Sequence, residues 1–342
     1  MKVAFRVDGN NEIGIGHIMR CTALAIKLRQ YGALCQFFIS KDTKINETVK
    51  GYGFEYIKLN SDYKNIDNSV NEMNLYINKY KYDYIVIDSY FVTNLFFNNL
   101  NQKIKTIYIT ESFPEQTNIV CDFFLNYNLY LNNYTPPTKE KTQFLLGSKY
   151  CLIRDEFKNC HYNTKNKDIL ILAGGTDPLN CIELITEYLL AKDEINGYSF
   201  VLVTSKNKKS IENLKKTYRN NKRVKVVIEP QYISNIMGSC CLAVSAAGSS
   251  LYEIFACGTS AISYSFVDNQ EKIAEAFSNN KLIEYAGRIN DEPHKTLNNI
   301  AKFIILKGKN NNITNQNEII NIDGAELVAS ILFDELNTYD GA

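Results

Sequence analysis

Of the three histidines in the chain, His17 has the surroundings that chemistry requires. It lies in the stretch Arg6 to Ala25, RVDGNNEIGIGHIMRCTALA, where Gly14 and Gly16 bracket a turn. Before the turn, the apolar run Lys2 to Val7 ends in Asp8. After it, Ile18, Cys21, Leu24, Ala25 and Leu28 recur at helical spacing. This is a strand, a glycine turn and a helix, with His17 in the first helical turn. Unpaired backbone N–H groups and the positive end of the helix dipole gather there and face any anion across the strand ends. A neutral imidazole in that position can take a proton from water near pH 7.

Two more glycine-rich turns follow strand-like runs later in the chain. Gly174, Gly175, Thr176 and Asp177 close the run Asp168 to Ala173, and Pro178 suits the first turn of the helix beyond. Gly248, Ser249 and Ser250 close Leu242 to Ser245. Gly248 admits a phosphate close to the backbone, and the two serines add hydroxyl donors. Glu253 lies one helical turn on, on the same face, where its carboxylate can accept from the ribose hydroxyls of a nucleotide. Asn269 and Gln270 follow the next strand end and are placed to reach a sugar. The first turn is a poor dinucleotide fingerprint, because Met19 holds the third glycine position of G-x-G-x-x-G and the candidate ribose acid Asp42 lies in a loop. No turn is followed by the lysine and hydroxyl residue of a Walker loop.

The elements that must position these residues alternate between strand-length apolar runs and longer amphipathic segments, the pattern of a parallel sheet covered on both faces. Strands are expected at Lys2 to Val7, Cys35 to Ile39, Glu55 to Leu59, Tyr84 to Asp88, Thr106 to Thr110 and Phe123 to Asn126. Between about Leu145 and Lys167 the pattern breaks into a polar linker containing His161, which reads as surface. The logic then repeats at Asp168 to Ala173, Ser199 to Thr204, Val224 to Ile228, Leu242 to Ser245 and Ala261 to Tyr264. The expected fold class is α/β, with two Rossmann-like doubly wound domains, 1–150 and 151–342, facing a ligand cleft. Residues Ala325 to Leu336 read as a closing helix able to pack back across the junction. His17 is expected to look out from its domain toward the bound ligand.

A chain of 342 residues with a formal charge of +1 has room for two cores and no global field recommending nucleic acid. Clusters such as Lys206, Lys208 and Lys209 read as solvated faces. Nine cysteines with no C-x-x-C pair fit free thiols in a reducing compartment better than a zinc site. Arg6 and Asp8 interrupt the only apolar stretch near the amino terminus, so no signal peptide is expected. No segment reaches membrane-spanning length. A cytoplasmic protein without membrane insertion is the expectation.

RVDGNNEIGIGHIMRC, LAGGTD and SAAGSSLYEIFACG followed by DNQ together resemble the PseG-like UDP-sugar hydrolases of pseudaminic acid (nonulosonate) biosynthesis. These are themselves similar to MurG-type glycosyltransferases of GT-B fold. DFFLNYN, YCLIRDEF and IDGAELVASIL extend the resemblance over most of the chain. It implies hydrolysis of UDP-2,4-diacetamido-2,4,6-trideoxy-β-L-altropyranose without metal or cofactor, the substrate and water being the small-molecule partners. Association with other nonulosonate enzymes is left open. His17 carries over as general base and Asp8 as the neighbour that positions it or the sugar. Arg6, Gly14, Gly16, Arg20 and Asn126 come with the first-half motifs. Gly174, Gly175, Thr176, Asp177, Gly248, Ser249, Ser250, Glu253, Asn269 and Gln270 come with the nucleotide-binding ones. One departure is the single carboxylate of Thr110-Glu111-Ser112, where such proteins often show an acidic pair.

Elementary chemistry agrees with this reading. Diphosphate is a good leaving group, so a base on one face suffices, helix-end N–H groups stabilise the departing charge, and the product is inverted. This contrasts with glycosidases, which need an acid to protonate an alcohol. Two rivals keep the same site: a MurG-like transferase with an acceptor hydroxyl in place of water, and a non-catalytic nucleotide-sugar binding module.

Overall fold

The computed structural model describes residues 1–342 except 11, 44–45, 139–140, 159, 161–166, 176, 206–210, 308–318 and 340–342, with no side-chain description at 46 and 337–339. His161, Thr176, Lys206, Lys208 and Lys209 therefore lie outside the described residues. The chain forms two compact units, Met1–Arg154 with Asn321–Ala342, and Asp155–Ile320.

The first unit is a parallel sheet in the order β3-β2-β1-β4-β5-β6-β7. Its strands are β1 (Lys2–Val7), β2 (Leu34–Ile39), β3 (Glu55–Lys58), β4 (Tyr84–Asp88), β5 (Lys105–Ile109), β6 (Phe123–Asn126) and β7 (Gln143–Leu146). The central strands read as unbroken apolar runs because helices cover both faces. β4 is buried along its whole length. Of the two charged residues of β1, Lys2 is exposed at its start, while Arg6 is fully buried and answered by Asp8 two residues on. Helix α1 (Gly16–Gln30) follows β1, α2 (Asn46–Gly51) precedes β3, α3 (Val70–Tyr80) precedes β4 and α4 (Asn94–Asn99) precedes β5. The chain runs outward from β1 through β2 to β3, then returns to β4 on the other side of β1. That reversal is a topological switch point, beside which such sheets bind ligands at the carboxyl ends of their strands.

The second unit repeats the plan in the order β10-β9-β8-β11-β12-β13. Here β8 (Asp168–Leu172) and β11 (Leu242–Ala246) flank the switch point, with β9 (Ser199–Thr204), β10 (Val224–Ile228), β12 (Ala261–Ser265) and β13 (Ile283–Arg288) outside them. Helices α5 (Cys181–Leu190), α6 (Ile211–Tyr218), α7 (Ile233–Ser239), α8 (Ser249–Ala256), α9 (Asp268–Asn279) and α10 (Pro293–Lys307) connect the strands or close the unit. Its core is built on Ile169, Ile171, Phe200, Leu202, Val244 and Ile262. The doubly wound α/β plan expected for each half is the one observed.

Two strands escape the periodicity reading, both at sheet edges. β7 is only four residues long, runs into the polar stretch and reads as the start of the linker. β13 contains Glu284, Gly287 and Arg288 and is half exposed, so it lacks the continuous apolar run of a central strand.

The domain limits also differ from 1–150 and 151–342. The last helix, α11 (Gly324–Tyr339), belongs to the first unit. Ala325, Val328, Ala329 and Leu332 recur at helical spacing and are all buried. Around this stripe Lys27 Nζ lies 3.3 Å from Glu326, Lys105 Nζ 2.8 Å from Glu335, and Tyr84 Oη donates to the Leu332 carbonyl at 3.1 Å. The helix returns because its stripe covers apolar surface at α1, and the polar stretch between 145 and 167 crosses between units at Arg154 and Asp155 rather than at 150. Among the described residues, no helix is long and apolar enough to cross a membrane.

Gly324 starts α11 in close contact with backbone, and a Cβ there would sit 2.3 Å from the Cys151 nitrogen and 2.4 Å from its oxygen. Gly324→Ala is expected to destabilise the protein by about 1–3 kcal/mol through overpacking, read as a lower melting temperature. Gly51→Ala, whose Cβ would meet nothing within 4 Å, is the control and should leave it unchanged.

Candidate active site

α1 begins where the loop after β1 closes on itself. Asn10 and Gly14 exchange backbone hydrogen bonds of 2.9 and 3.2 Å, and the Asn10 side chain accepts from the Glu12 and Ile13 N–H groups. Gly14 has φ +74°, the conformation that demands glycine. Two residues later Gly16 opens the helix. His17, Arg20 and Cys21 then share one face at i, i+3 and i+4, and all three converge on one carboxylate, Asp88 at the end of β4.

Asp88 is fully buried. Arg20 grips it with two charge-assisted bonds, Nε to Oδ2 at 2.6 Å and Nη2 to Oδ1 at 2.7 Å. Cys21 Sγ donates to Oδ2 at 3.5 Å, and His17 Nδ1 lies 3.2 Å from Oδ1. The third nitrogen of Arg20, Nη1, reaches Glu111 Oε1 at 3.2 Å, just past β5. The Arg20 guanidinium also lies 5.9 Å from the centre of the Tyr127 ring. Burial raises the Asp88 carboxyl, but Arg20 and then His17 outweigh it and hold its pKa below the ordinary value.

For His17, burial is the largest influence and lowers the pKa. Asp88 pulls the other way, and Arg20 pushes down again, leaving the imidazole below its ordinary value and neutral at pH 7. Both ring nitrogens are buried, and among the described residues neither has a hydrogen-bond partner. Nδ1 is in electrostatic reach of Asp88 without making a hydrogen bond to it. Buried nitrogens without a partner are rare in folded proteins. The ring is not turned openly outward as the sequence reading expects. It is only 5% exposed, with the Tyr90 ring edge-on at 4.4 Å between centroids, while Tyr90 itself is 53% exposed.

Asp8, expected beside His17, is committed elsewhere. Its Oδ1 accepts from the Ser40 amide at 2.7 Å, the Ser40 hydroxyl and Thr43 Oγ1 at 2.8 Å, while Oδ2 takes Arg6. Burial raises this carboxyl too, yet Arg6 and the Ser40 and Thr43 hydrogen bonds hold it below the ordinary value. The acid that faces His17 is Asp88. Its signal in the sequence is the apolar run YIVID ending in a charge at the strand next to β1, where Val7 and Asp88 pair. Arg6 Nε and Nη2 are buried without partners among the described residues. Asn126 is fully buried, and its amide bonds Ser112 and Asn128, so it pins the loops after β5 and β6 rather than facing a ligand. Glu111, the lone carboxylate of Thr110-Glu111-Ser112, is where Arg20 ends.

In the second unit the structure separates the two glycine turns. Gly174 has φ +75°, and Asp177, also left-handed at +42°, turns its carboxylate onto the first turn of α5, accepting from Cys181 N at 2.6 Å and Ile182 N at 3.4 Å. That helix start is already capped by an anion of the chain. The start of α8 is different: among the described residues no side chain is seen to cap it, and Gly248 stands at the cap position in extended conformation, φ 179°. A Cβ on Gly248 would meet nothing within 4 Å. Ser249 is exposed, and Ser250 and Glu253 are partly exposed on the same helix. Asn269 is exposed in the first turn of α9, while Gln270 Oε1 folds back to accept from the Phe266 amide at 3.0 Å. Ser249, Ser250, Glu253 and Asn269 therefore stand at the carboxyl end of the sheet, and Gly175 lies beside Gly174 at the β8 end.

Two parallel α/β sheets with this architecture define a GT-B fold. The chain is similar to the solved structures of Acinetobacter baumannii MurG (TM-score 0.63, 14% identity, 97% of this chain and 99% of that one) and of Methanocaldococcus jannaschii UDP-GlcNAc 2-epimerase in complex with UDP-GlcNAc and UDP (TM-score 0.67, 14% identity, 97% and 99%). No family model matches the chain. In sequence it is similar to an uncharacterized protein of M. jannaschii, 27% identical over 265 residues, covering 74% of this chain and 53% of that protein. It is 24% identical over 265 residues to the Helicobacter pylori pseudaminic acid cytidylyltransferase and UDP-2,4-diacetamido-2,4,6-trideoxy-β-L-altropyranose hydrolase, covering 75% of this chain and 43% of that protein. The chain thus spans about half the length of these two relatives. It is 26% identical over 281 residues to the Campylobacter jejuni UDP-2,4-diacetamido-2,4,6-trideoxy-β-L-altropyranose hydrolase, covering 80% of this chain and 95% of that protein. Homologues that carry this hydrolase name match the resemblance read from the motifs.

The charge balance around His17 is open to direct measurement. In the intact protein His17 titrates below its ordinary 6.5. Arg20→Met removes a cation and frees the Asp88 charge to favour imidazolium, so the His17 pKa is expected to rise. Asp88→Asn should move it further down. Histidine ring resonances followed against pH in each variant give the sign.

Proposed function

We propose that the protein hydrolyses a UDP-linked 2,4-diacetamido-2,4,6-trideoxy sugar, the substrate named for its relatives, at the anomeric C–O bond. The products are UDP and the free sugar with inverted configuration, a step of nonulosonate biosynthesis. The observation that carries this reading is a buried imidazole held neutral at a sheet switch point, with Nε2 unpartnered among the described residues.

In this reading His17 Nε2 takes a proton from water as the water oxygen bonds to the anomeric carbon. The bond to the diphosphate oxygen breaks, and its electron pair leaves with UDP. Asp88 stabilises the imidazolium as it forms. Arg20 offsets the pull of the Asp88 charge on a proton at the ring, so the base is ready at neutral pH. Diphosphate leaves without a strong acid, since N–H groups at the start of α8 and the Ser249 and Ser250 hydroxyls can take up its charge. Glu253 accepts from the ribose hydroxyls and Asn269 reaches the sugar. Neither step requires a metal ion, and chelation should leave turnover intact.

Incubation with the sugar nucleotide in ¹⁸O water should place the label on the sugar. Label on UDP would mean attack at phosphorus, and UDP release only with an added acceptor alcohol would mean a glycosyltransferase. His17→Ala is expected to lower kcat by about 10²- to 10⁴-fold while UDP still binds; undiminished turnover would remove His17 from the mechanism. Gly248→Ala should leave the melting temperature unchanged, given the open space there, yet weaken UDP roughly tenfold, about 1.4 kcal/mol. Titration calorimetry with UDP checks it, and an unchanged Kd would take the diphosphate away from α8. The acid limb of kcat/KM should follow the His17 pKa, moving to higher pH in Arg20→Met.

A further inference from the structure

Away from the residues used above, two thiols of the second unit meet. Cys257 caps the carboxyl end of α8, and Cys160 follows the short turn Asp155–Phe157 that opens the unit. Their sulfur atoms are 2.8 Å apart although 97 residues separate them in sequence. Both also lie against the carbonyl of Ser234 in α7, at 3.5 Å for Cys160 and 3.7 Å for Cys257. A disulfide needs an S–S distance of about 2.0 Å, so little movement separates the two thiols from a bond. Cys257 is 2% exposed, whereas Cys160 is half-buried and offers the point of entry.

We propose that Cys160 and Cys257 are a modification site, closing to a reversible disulfide when the folded protein meets a low-molecular-weight disulfide such as oxidised glutathione. The Cys160 thiolate attacks one glutathione sulfur, forming a mixed disulfide and releasing one glutathione thiolate. Cys257, having lost its proton, then attacks the Cys160 sulfur and expels the second glutathione. Two protein thiols lose two electrons, and one glutathione disulfide gains them as it becomes two thiols. Burial raises both protein thiols above their ordinary pKa, so the exchange runs faster as pH rises. The bond would tie the foot of α8, whose other end carries Gly248 and Ser249, to the segment where the unit begins.

The test is to treat the folded full chain with oxidised glutathione, block remaining thiols by alkylation and map unreduced peptides by mass. The wild type should lose two of its nine thiols and yield a peptide linking Cys160 to Cys257. Cys257→Ala should stop at glutathione held on Cys160, and Cys160→Ser should form neither species. Nine thiols still free, or a glutathione adduct on Cys160 that persists in the wild type without the link, or a link between other cysteines, would overturn the proposal.

Discussion

The structure of the first unit turns on one buried carboxylate answered from one helix face. Removing Asp88 from water is unfavourable unless its charge is matched. Arg20 matches it with two parallel bonds, leaving a third donor for Glu111. The remaining side of Asp88 is what His17 meets. An aspartate alone would draw a proton onto the ring, and an arginine alone would drive it off. Together, inside a buried setting, they leave a neutral base oriented by a charge it does not yet have to neutralise. The parallel pairing of β1 with β4 brings the two halves of this arrangement together, since the strand that launches α1 ends beside the strand that ends in Asp88.

A second compensated carboxylate stands nearby and shows why chemistry cannot be assigned from residue type alone. Asp8 follows the same strand that leads to His17, and in sequence it is the nearer acid. Its oxygens are already occupied by Ser40, Thr43 and Arg6. The pair Arg6 and Asp8 anchors the strand end and the loop near Ser40, while the pair Arg20 and Asp88 tunes a base. Both are buried ion pairs. Arg6 keeps two guanidinium nitrogens, unpartnered among the described residues, that stay protonated, whereas the second pair faces an imidazole, whose unpartnered nitrogens can exchange a proton near neutral pH.

The doubly wound plan was legible because central parallel strands are apolar on both faces, and YIVID or LAVSA can be little else when glycine turns and amphipathic helices flank them. β7 and β13 were not, because an edge strand is half solvated and its pattern dissolves into that of a loop. The return of α11 to the first unit was visible as an amphipathic stripe, but a stripe does not name the surface it covers. His17 could be found from its turn and its place in the helix. Asp88 could not, since the pairing of β1 with β4 spans about eighty residues and exists only once the sheet order is known. Asp177 looked like part of a binding turn because a capping aspartate and a ligand-facing one have the same sequence neighbours.

The three glycine turns make one supersecondary device that the rest of the residues put to different uses. At α5 the chain supplies its own anion, so the helix end is satisfied from within. At α8 no side chain is seen at the cap among the described residues, the space beside Gly248 is open, and the Leu251 N–H turns back to the Gly248 carbonyl at 3.0 Å. At α1 the cap residue Ile15 makes no side-chain bond either, and the residue after the second glycine is a histidine whose ring lies buried against Asp88 and Tyr90. If one enzyme is to break a bond to a diphosphate, it needs an electrostatic cradle for the leaving group and a base for water, and little else. Each unit has its own switch point, between β1 and β4 in the first and between β8 and β11 in the second, and the carboxyl end of such a switch point is where a group of this kind can be presented.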